Sequence, residues 1–353
     1  MGFIRETVEN MQGYVPGEQP TEKLIKLNTN ENPYPPSPAV FESMANFDMA
    51  SLNKYPHPMS DAARDAAAAL FGKDKNWICA GNGSDDILTI AIRTCVNAGE
   101  KIAVLDPTYS LYPVLAEIQD AQLIEISTND DFSLPLNLIE QAGDAKLLIL
   151  TSPNAPTSNA FPLDVIDAIC ANFKNAVLID EAYADFSSTN CSSLVDKYDN
   201  VIISRTVSKS YSLAGIRFGY AYAQPAIIEQ FMKVKDSYNI NTLTQVLAEA
   251  ALKDQAYFQD CISKIINTRE FVIEKLNALG FETVQSEANF IFAKVPCDAQ
   301  AYMNEMRENK ILLRYFNNER CKEYVRITIG TDEEMDTFLQ VTEKLINRQV
   351  NYE

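Results

Sequence analysis

The sequence has one histidine, no C-x-x-C cysteine pair and no long apolar run. Its one histidine, His57, cannot by itself form a multi-histidine metal site. No G-x-S-x-G elbow accompanies it, so a serine hydrolase triad is not indicated. We therefore predict no metal site, and we expect the chemistry to depend on another side chain or on a cofactor.

The seven cysteines form no C-x-x-C pair and are odd in number. This argues against a disulfide framework and indicates a reducing compartment. Arg5 and Glu6 stand where a signal peptide has its apolar run. No apolar stretch approaches the ~20 residues of a membrane span. We expect a cytoplasmic protein with no membrane partner.

Positive charge is also in deficit, because 30 lysines and arginines face 48 acidic residues, for a net charge of −18. Nucleic acids and anionic membranes bind clustered lysine and arginine, so neither is expected as a partner. Hydrophobic residues make up 46% of the 353 positions. A chain of this length and composition can bury a large core and favours more than one domain.

Strand-like and helical patterns alternate along the first two thirds of the chain. A helix is predicted over 60–71, with Ser60 as its cap, then a strand over 77–80 and a helix over 85–96. Apolar runs follow at 101–105, 122–126, 147–151, 176–180, 201–206 and 219–223, with helical patterns at 109–119 and 164–173. This alternation predicts an α/β fold with a mostly parallel central sheet sandwiched by helices.

The pattern changes after about residue 228. Helices are predicted at 228–236, 242–279 and 332–348, and strands near 289–294, 311–315 and 324–329. This mixed order indicates a smaller α+β domain. We therefore divide the chain into an N-terminal arm (1–27), a large domain (28–235) and a small C-terminal domain (236–353).

Polar residues follow several of the predicted strands, where ligands collect in an open parallel sheet. Residues 81–85 (Gly-Asn-Gly-Ser-Asp) open a helix whose free N–H groups suit a phosphate, although a plain capped loop is the better interpretation of this segment alone. Asp180 ends the run 176–180, where it could face a site, cap a helix or bind a metal. Residues 151–157 form a proline-rich loop in which Asn154 can donate a hydrogen bond.

Lys209 has the most unusual surroundings. It follows the run 201–206 between Ser208 and Ser210, and Arg217 lies eight residues further on. A lysine is usually a solvated surface residue. Small hydroxylated neighbours could instead desolvate its amine and lower its pKa, which a Schiff-base lysine requires.

Together these segments resemble the fold-type-I aminotransferases that use pyridoxal 5'-phosphate (PLP). The match comprises 152–157 (Ser-Pro-Asn-Ala-Pro-Thr), 180–183 (Asp-Glu-Ala-Tyr) and 208–209 (Ser-Lys) with Arg217 and Gly219. The resemblance, which covers essentially the whole chain, implies that Lys209 holds PLP covalently and later moves a proton at the substrate. It also implies that Asp180 pairs with the ring nitrogen, and that Asn154 and Tyr183 bind the phenolic oxygen.

The same resemblance implies roles for further residues. Tyr109 would stack on the PLP ring. The PLP phosphate would be held by Ser84, Asp85, Thr206, Ser208 and Arg217. Tyr55 would reach the phosphate of the other subunit, which implies a homodimer with shared active sites.

Three more segments resemble the histidinol-phosphate aminotransferase branch: 14–17 with 27–33, then 311–314, then 324–334. The resemblance implies that Arg326 binds the α-carboxylate of glutamate, and that Arg314 and Tyr14 hold the substrate phosphate. Asn30 and Asn289 would also line the substrate site. Without the resemblance, surface or structural roles would be the better interpretation of the two arginines.

The chain departs from the family pattern beside the cofactor. The loop that usually reads Asn-Asn-Pro-Thr-Gly has Ala155 in place of its second Asn and Ser158 in place of its Gly, and Pro35 stands where Gly is usual. We predict transamination of L-histidinol phosphate with 2-oxoglutarate to imidazole-acetol phosphate and glutamate, a step of histidine biosynthesis. An aromatic amino-acid aminotransferase and a threonine-phosphate decarboxylase are the alternatives. A PLP-responsive regulator would need a nucleic-acid-binding domain, which we do not expect from the short acidic arm.

Overall fold

The computed structural model describes residues 2–350. Its strands are β1 Ile25–Lys26, β2 Ile78–Gly81, β3 Lys101–Asp106, β4 Gln122–Ser127, β5 Leu147–Thr151, β6 Ala176–Asp180, β7 Val201–Thr206, β8 Gly219–Ala223, β9 Glu282–Thr283, β10 Phe290–Lys294, β11 Ile311–Leu312, β12 Arg314–Tyr315 and β13 Tyr324–Thr328. Its α-helices are α1 Glu6–Asn10, α2 Pro38–Ala45, α3 Asp61–Ala69, α4 Ser84–Cys95, α5 Leu111–Ile118, α6 Leu138–Ala142, α7 Leu163–Asn172, α8 Leu194–Lys197, α9 Pro225–Val234, α10 Thr242–Lys253, α11 Gln255–Ala278, α12 Ala299–Glu308 and α13 Asp332–Val350. Short 3₁₀ turns connect some of them.

A seven-stranded sheet forms the centre of the molecule, in the order β2-β8-β7-β6-β5-β3-β4. β8 runs antiparallel to β2 and to β7, and the other neighbouring pairs are parallel. All strands except β8 therefore point the same way. Their carboxyl ends meet at one edge of the sheet, which is where a ligand site is expected.

Helices cover both faces of this sheet. Along β7, Val201 and Ile203 belong to one apolar core and Ile202 belongs to another, because successive side chains of a strand point to opposite faces. The first core includes residues of α3 and α7, and the second includes residues of α4 and α9. The strands read as continuous apolar runs because both of their faces are buried. The predicted α/β fold is confirmed.

Two small sheets are built mainly from the last third of the chain. One has the order β12-β13-β10-β9 and is antiparallel. In the other, β1 pairs in parallel with β11, and Ile25 is opposite Ile311. The end of the segment predicted as an arm therefore forms a strand beside residues of the predicted small domain. The domain boundaries themselves stay a prediction.

Three local predictions differ from the structure. The helix expected over 242–279 is two helices, because the backbone of Asp254 leaves helical geometry at ψ 69° and its carboxylate accepts a hydrogen bond from Tyr257 N. The strand expected over 311–315 divides at Leu313 between two sheets. Ser60 precedes α3 as expected but has a left-handed backbone at φ 51°, and its side chain makes no capping bond. None of the helices within 2–350 is long and apolar enough to cross a membrane.

Candidate active site

A cavity of about 350 Å³ lies at the carboxyl edge of the large sheet and is closed by residues of the small sheets and of the N-terminal segment. Most of the predicted site residues line it: Tyr14, Asn30, Ser84, Asp85, Tyr109, Asp180, Tyr183, Thr206, Ser208, Lys209, Arg217, Arg314 and Arg326. They come from segments spread over more than 300 positions. The fold therefore brings together residues that were predicted separately.

Lys209 follows the end of β7 and extends into the cavity. Its Nζ donates a hydrogen bond to Thr29 O at 3.1 Å and lies 5.8 Å from the centre of the Tyr183 ring. Burial, together with the positive charges of Arg326 and Arg217, lowers the pKa of Lys209 to about 8. A larger fraction of the amine is therefore neutral here than at a surface lysine, as covalent catalysis by lysine requires.

Asp180 is the last residue of β6 and is 3% exposed. Its Oδ1 accepts a hydrogen bond from Ala182 N at 3.2 Å, and its Oδ2 accepts one from the Tyr112 hydroxyl at 2.8 Å. Burial raises the pKa of Asp180 to about 6, against the lowering effect of these two bonds. Asp180 is therefore ionised at neutral pH and can hold a protonated ring nitrogen.

Sequence reasoning missed Tyr112. Its hydroxyl also lies 2.6 Å from Thr151 Oγ1, so Tyr112 links β5 to Asp180 on β6. Tyr112 is fully buried in α5, one turn after Tyr109. A buried aromatic residue at helical spacing looks like part of the core, and the one available signal was its polar hydroxyl, which needs a partner when buried.

The start of α4 forms a cradle for an anion. Gly83 precedes the helix at φ 86°, and a Cβ there would lie 2.5 Å from Arg217 Nη2. A Cβ at Gly219 would lie 2.5 Å from Ser84 N, so glycine is needed for this close approach. Because the first N–H groups of a helix lack intrahelical partners, they can bind a phosphate.

Side chains complete this cradle. Arg217 lies 3.4 Å from Ser208 Oγ through Nη1 and 3.3 Å from Asp85 Oδ2 through Nη2. The Thr206 hydroxyl donates to Ser208 Oγ at 3.0 Å. One guanidinium and two hydroxyls beside a helix N-terminus are donors that suit a phosphate dianion.

Tyr109 and Tyr14 form an aromatic wall of the cavity. Their rings meet edge to face with centres 5.8 Å apart, and Tyr109 contacts Tyr112 in the same way at 5.6 Å. Burial raises the pKa of Tyr109, so its hydroxyl stays protonated. A neutral, fixed aromatic ring in the cavity wall can stack on a flat heteroaromatic cofactor.

Arg314 and Arg326 stand opposite each other on β12 and β13. Both guanidinium groups pack near the Phe316 ring, at 5.4 and 5.5 Å. Arg326 donates to Asn28 O at 2.8 Å, but its buried Nε has no partner among the described residues. Neither arginine pairs with a carboxylate in that part of the chain, and both line the cavity. Burial and the neighbouring Arg314 lower the pKa of Arg326, although Tyr183 opposes this. An entering anion would relieve this repulsion.

Asn30 links Tyr183 to Asn289. It has a left-handed backbone at φ 56°, its side chain donates to the Tyr183 hydroxyl at 3.0 Å, and its carbonyl accepts from Asn289 Nδ2 at 3.0 Å. Asn289 is buried behind Asn30 and is not part of the cavity wall. Its predicted contact with substrate stays a prediction, and the structure places it as a support for Asn30.

Two further predicted residues also lie outside the cavity wall. The amide of Asn154 donates to Pro107 O at 2.9 Å and to Thr157 Oγ1 at 2.7 Å, so both of its hydrogens have protein partners. Tyr55 is 81% exposed and stacks on Tyr238 with ring centres 4.6 Å apart. The predicted ring contact of Asn154 and the predicted phosphate contact of Tyr55 stay predictions.

Comparison with known proteins identifies the family. Residues 22–341 match the family model described as aminotransferase class I and II. The chain belongs to the class I and II aminotransferases. Histidinol-phosphate aminotransferases are among its relatives, one from Microcystis aeruginosa at 48% identity over 97% of this chain and 98% of its own, and one from Citrifermentans bemidjiense at 42% over 97% and 98%. The predicted family is confirmed.

Solved structures agree on the fold. The crystal structure of histidinol-phosphate aminotransferase from Sinorhizobium meliloti in complex with pyridoxal-5'-phosphate superposes with a TM-score of 0.91, covers 99% of both chains and is 24% identical. The aspartate aminotransferase from Thermotoga maritima superposes at 0.81, covers 92% of both chains and is 22% identical. At these identities the likeness concerns the fold, which is that of the PLP-dependent aminotransferases.

PLP is the cofactor of this aminotransferase, and the residues present fit it. The cradle at Ser84 and Arg217 suits its phosphate, the buried carboxylate of Asp180 suits its pyridinium nitrogen, and the low-pKa amine of Lys209 suits its aldehyde. Each of these groups lines the same cavity. The individual roles assigned to them stay predictions.

Proposed function

We propose that this aminotransferase transfers the amino group of L-histidinol phosphate to 2-oxoglutarate and forms imidazole-acetol phosphate and glutamate. The observation that carries the proposal is the pair Arg314 and Arg326. They lie side by side in the cavity that contains Lys209, and neither has a carboxylate partner among the described residues. Both substrates are anions, and paired guanidinium groups bind phosphate and carboxylate well. The names of the relatives agree with this proposal.

PLP, when bound, supplies a conjugated ring that accepts the electron pair left at the substrate Cα. Side chains of the protein move the proton and hold the ring in its protonated form. Lys209 Nζ holds and moves the proton at Cα, and its pKa of about 8 leaves part of the amine neutral near physiological pH. Asp180 keeps the ring nitrogen protonated. Tyr183, fixed by Asn30, provides a hydroxyl in the cavity wall.

Substrate orientation would come from the arginines. Arg326 is the more constrained of the two because it also donates to Asn28 O, and it suits the carboxylate next to the reacting carbon of glutamate. Arg314 makes no ion pair among the described residues and suits the second anionic group, which is a phosphate in one substrate and a carboxylate in the other. The cavity can thus accept both substrates in turn, as a ping-pong reaction requires.

A homodimer with shared active sites forms part of the proposal. Tyr55 and Tyr238 form an exposed aromatic pair outside the cavity of their own chain, which suits contact with a second subunit. We place the enzyme in the cytoplasm, as the cysteine pattern indicates.

The direct test follows the absorbance of PLP-loaded protein after L-histidinol phosphate is added without an amino acceptor. We expect loss of the PLP absorbance and formation of pyridoxamine phosphate, faster than with phenylalanine or tyrosine. Faster conversion by the aromatic amino acids would reassign the enzyme to them. Release of carbon dioxide from threonine phosphate would identify a lyase instead.

A variant tests the phosphate contact. Arg314→Ala should lower kcat/KM for L-histidinol phosphate, because the desolvated phosphate loses its partner. The decrease should correspond to roughly 2–4 kcal/mol of lost transition-state binding. For an aromatic amino acid, which has no phosphate, the loss should be much smaller. Arg307→Ala is the control, since Arg307 is an exposed residue that pairs with Glu18 outside the cavity. Equal losses for both substrates would make Arg314 a structural residue.

A further inference from the structure

A buried ion cluster lies behind the active site and takes no part in lining it. Arg205, on β7, is 8% exposed, and Glu181 is 1% exposed. The guanidinium donates to Glu181 Oε2 through Nε at 2.8 Å and through Nη2 at 2.6 Å, and to Asp185 Oδ1 through Nη1 at 2.7 Å. Arg205 therefore spans two carboxylates with opposite sides of its planar group.

The cluster connects the two segments that carry the proposed catalytic residues. Glu181 directly follows Asp180, and Asp185 lies two residues after Tyr183. On the other side, Asp185 Oδ2 accepts a hydrogen bond of 2.6 Å from the hydroxyl of Ser210, which directly follows Lys209. A continuous path of four side chains thus joins the residue after Asp180 to the residue after Lys209.

Stability alone gives a weak reason for such a cluster. Taking charges out of water is costly, and apolar residues of similar volume often stabilise a protein as well or better. What an arginine fork adds is fixed geometry, because its donors lie in one plane and bind two carboxylates at set angles. The cluster also lies next to the backbone of both strand ends, where small shifts would move Asp180 and Lys209 relative to each other.

We propose that Arg205, Glu181, Asp185 and Ser210 form a positioning cluster that fixes the Lys209 amine relative to Asp180. The inference rests on the proposed role of Lys209 as the lysine that binds PLP. Asn32 contacts the same stretch of backbone, since its Nδ2 donates to Lys209 O at 3.1 Å and to Ser210 O at 3.2 Å. The backbone at 209–210 is therefore fixed by Asn32 as well as by the positioning cluster.

The functional consequence follows from the distances that proton transfer tolerates. A displacement of about 1 Å can cost on the order of 100-fold in rate even when no contact with substrate is lost. Loss of the cluster should therefore lower kcat more than it raises KM. It should also move the pH midpoint of the visible absorbance of bound PLP, because Lys209 would stand at new distances from Arg326 and Arg217.

The test uses Ser210→Ala and Asp185→Asn in the PLP-loaded enzyme, since both remove one link with little change in volume. For transamination from glutamate, we expect about a tenfold lower kcat and a KM within about twofold of the parent enzyme. We also expect a shifted pH midpoint of the absorbance of bound PLP. Ser204→Ala is the matched control. Ser204 is the neighbour of Arg205 on β7, and its buried hydroxyl has no hydrogen-bond partner in the described structure.

Arg205→Lys and Arg205→Met extend the series. Lysine keeps the charge but cannot bridge both carboxylates in one plane, so Arg205→Lys should recover part of the kcat that Arg205→Met loses. If Ser210→Ala and Asp185→Asn lower only the thermal midpoint, and leave kcat and the absorbance midpoint unchanged, the cluster only stabilises the fold and the proposal is overturned.

A separate experiment tests whether Lys209 is the lysine that binds PLP. Borohydride reduction of the parent enzyme followed by peptide mass spectrometry should place PLP on Lys209. A label on another lysine would contradict the proposed function itself, whereas a label on Lys209 with unaffected variants would contradict only the positioning cluster.

Discussion

At the scale of single residues, Asp180 depends on one hydroxyl that the sequence did not single out. We expect Tyr112→Phe to raise the pKa of Asp180, because the hydrogen bond from Tyr112 stabilises the ionised carboxylate. The acidic limb of the kcat/KM profile should therefore move to higher pH. A bond to a charged group contributes about 1.5–3 kcal/mol, so the shift should be roughly one pH unit or more.

The measurement is kcat/KM against pH for the parent enzyme and for Tyr112→Phe. Tyr302→Phe is the control, because Tyr302 is also a buried tyrosine bonded to a threonine, at 2.7 Å from Thr342, but lies outside the cavity. An acidic limb that does not move in Tyr112→Phe would mean that the Ala182 amide is sufficient to keep Asp180 charged.

The residues that could be predicted were those whose neighbours in sequence already describe their chemistry. Lys209 lies between serines at a strand end, and Asp180 ends an apolar run, so each carried its own signal. Arg205 carried none, and Tyr112 carried only a hydroxyl that needs a partner when buried. Their roles depend on partners 68 and 24 positions away, and neither a tyrosine in an apolar helix nor an arginine in a strand indicates by itself which distant residue it contacts.

At the scale of elements, the large sheet could be predicted because strands buried on both faces are continuous apolar runs. The boundaries of β5, β6, β7 and β8 match the predicted runs. The small sheets were harder, since β1, β9, β11 and β12 have two residues each and are defined by distant pairing. Nothing local shows that residues 25–26 form a strand.

The pairing of β1 gives a prediction at this scale. Ile25→Pro removes the N–H that donates to Lys310 O at 2.9 Å, at a cost of about 1–3 kcal/mol. The thermal midpoint should fall. KM for glutamate should rise as well, because Asn28 and Asn30 follow this strand and contact Arg326 and Tyr183. Gln19→Pro, at an exposed position outside any strand, should change neither value.

A rise in KM without a change in thermal midpoint would separate the two effects of β1. An unchanged KM would mean that the contacts of Asn28 and Asn30 keep their places without the strand.

At the scale of the whole molecule, the proposed sharing of sites can be tested by mixing two inactive proteins. A Tyr55→Ala subunit keeps Lys209, and a Lys209→Ala subunit keeps Tyr55. After subunit exchange, a hybrid dimer has one site with both residues intact, so random mixing should restore about a quarter of the parent activity. Each variant alone supplies the baseline. No recovery, in a mixture shown to contain hybrids, would mean that Tyr55 serves its own chain or none.

The pairing of residues 25–30 with the distant end of the chain also has a consequence for biosynthesis. Asn30 N and the Thr328 hydroxyl that it contacts are 298 positions apart. At a translation rate of roughly 5–20 residues per second, the earlier segment waits on the order of 15–60 s for its partner. The large sheet can fold on the ribosome during that time, but the wall that holds Asn28, Thr29 and Asn30 cannot. A nascent chain therefore completes its catalytic pocket only after residue 328 has been synthesised.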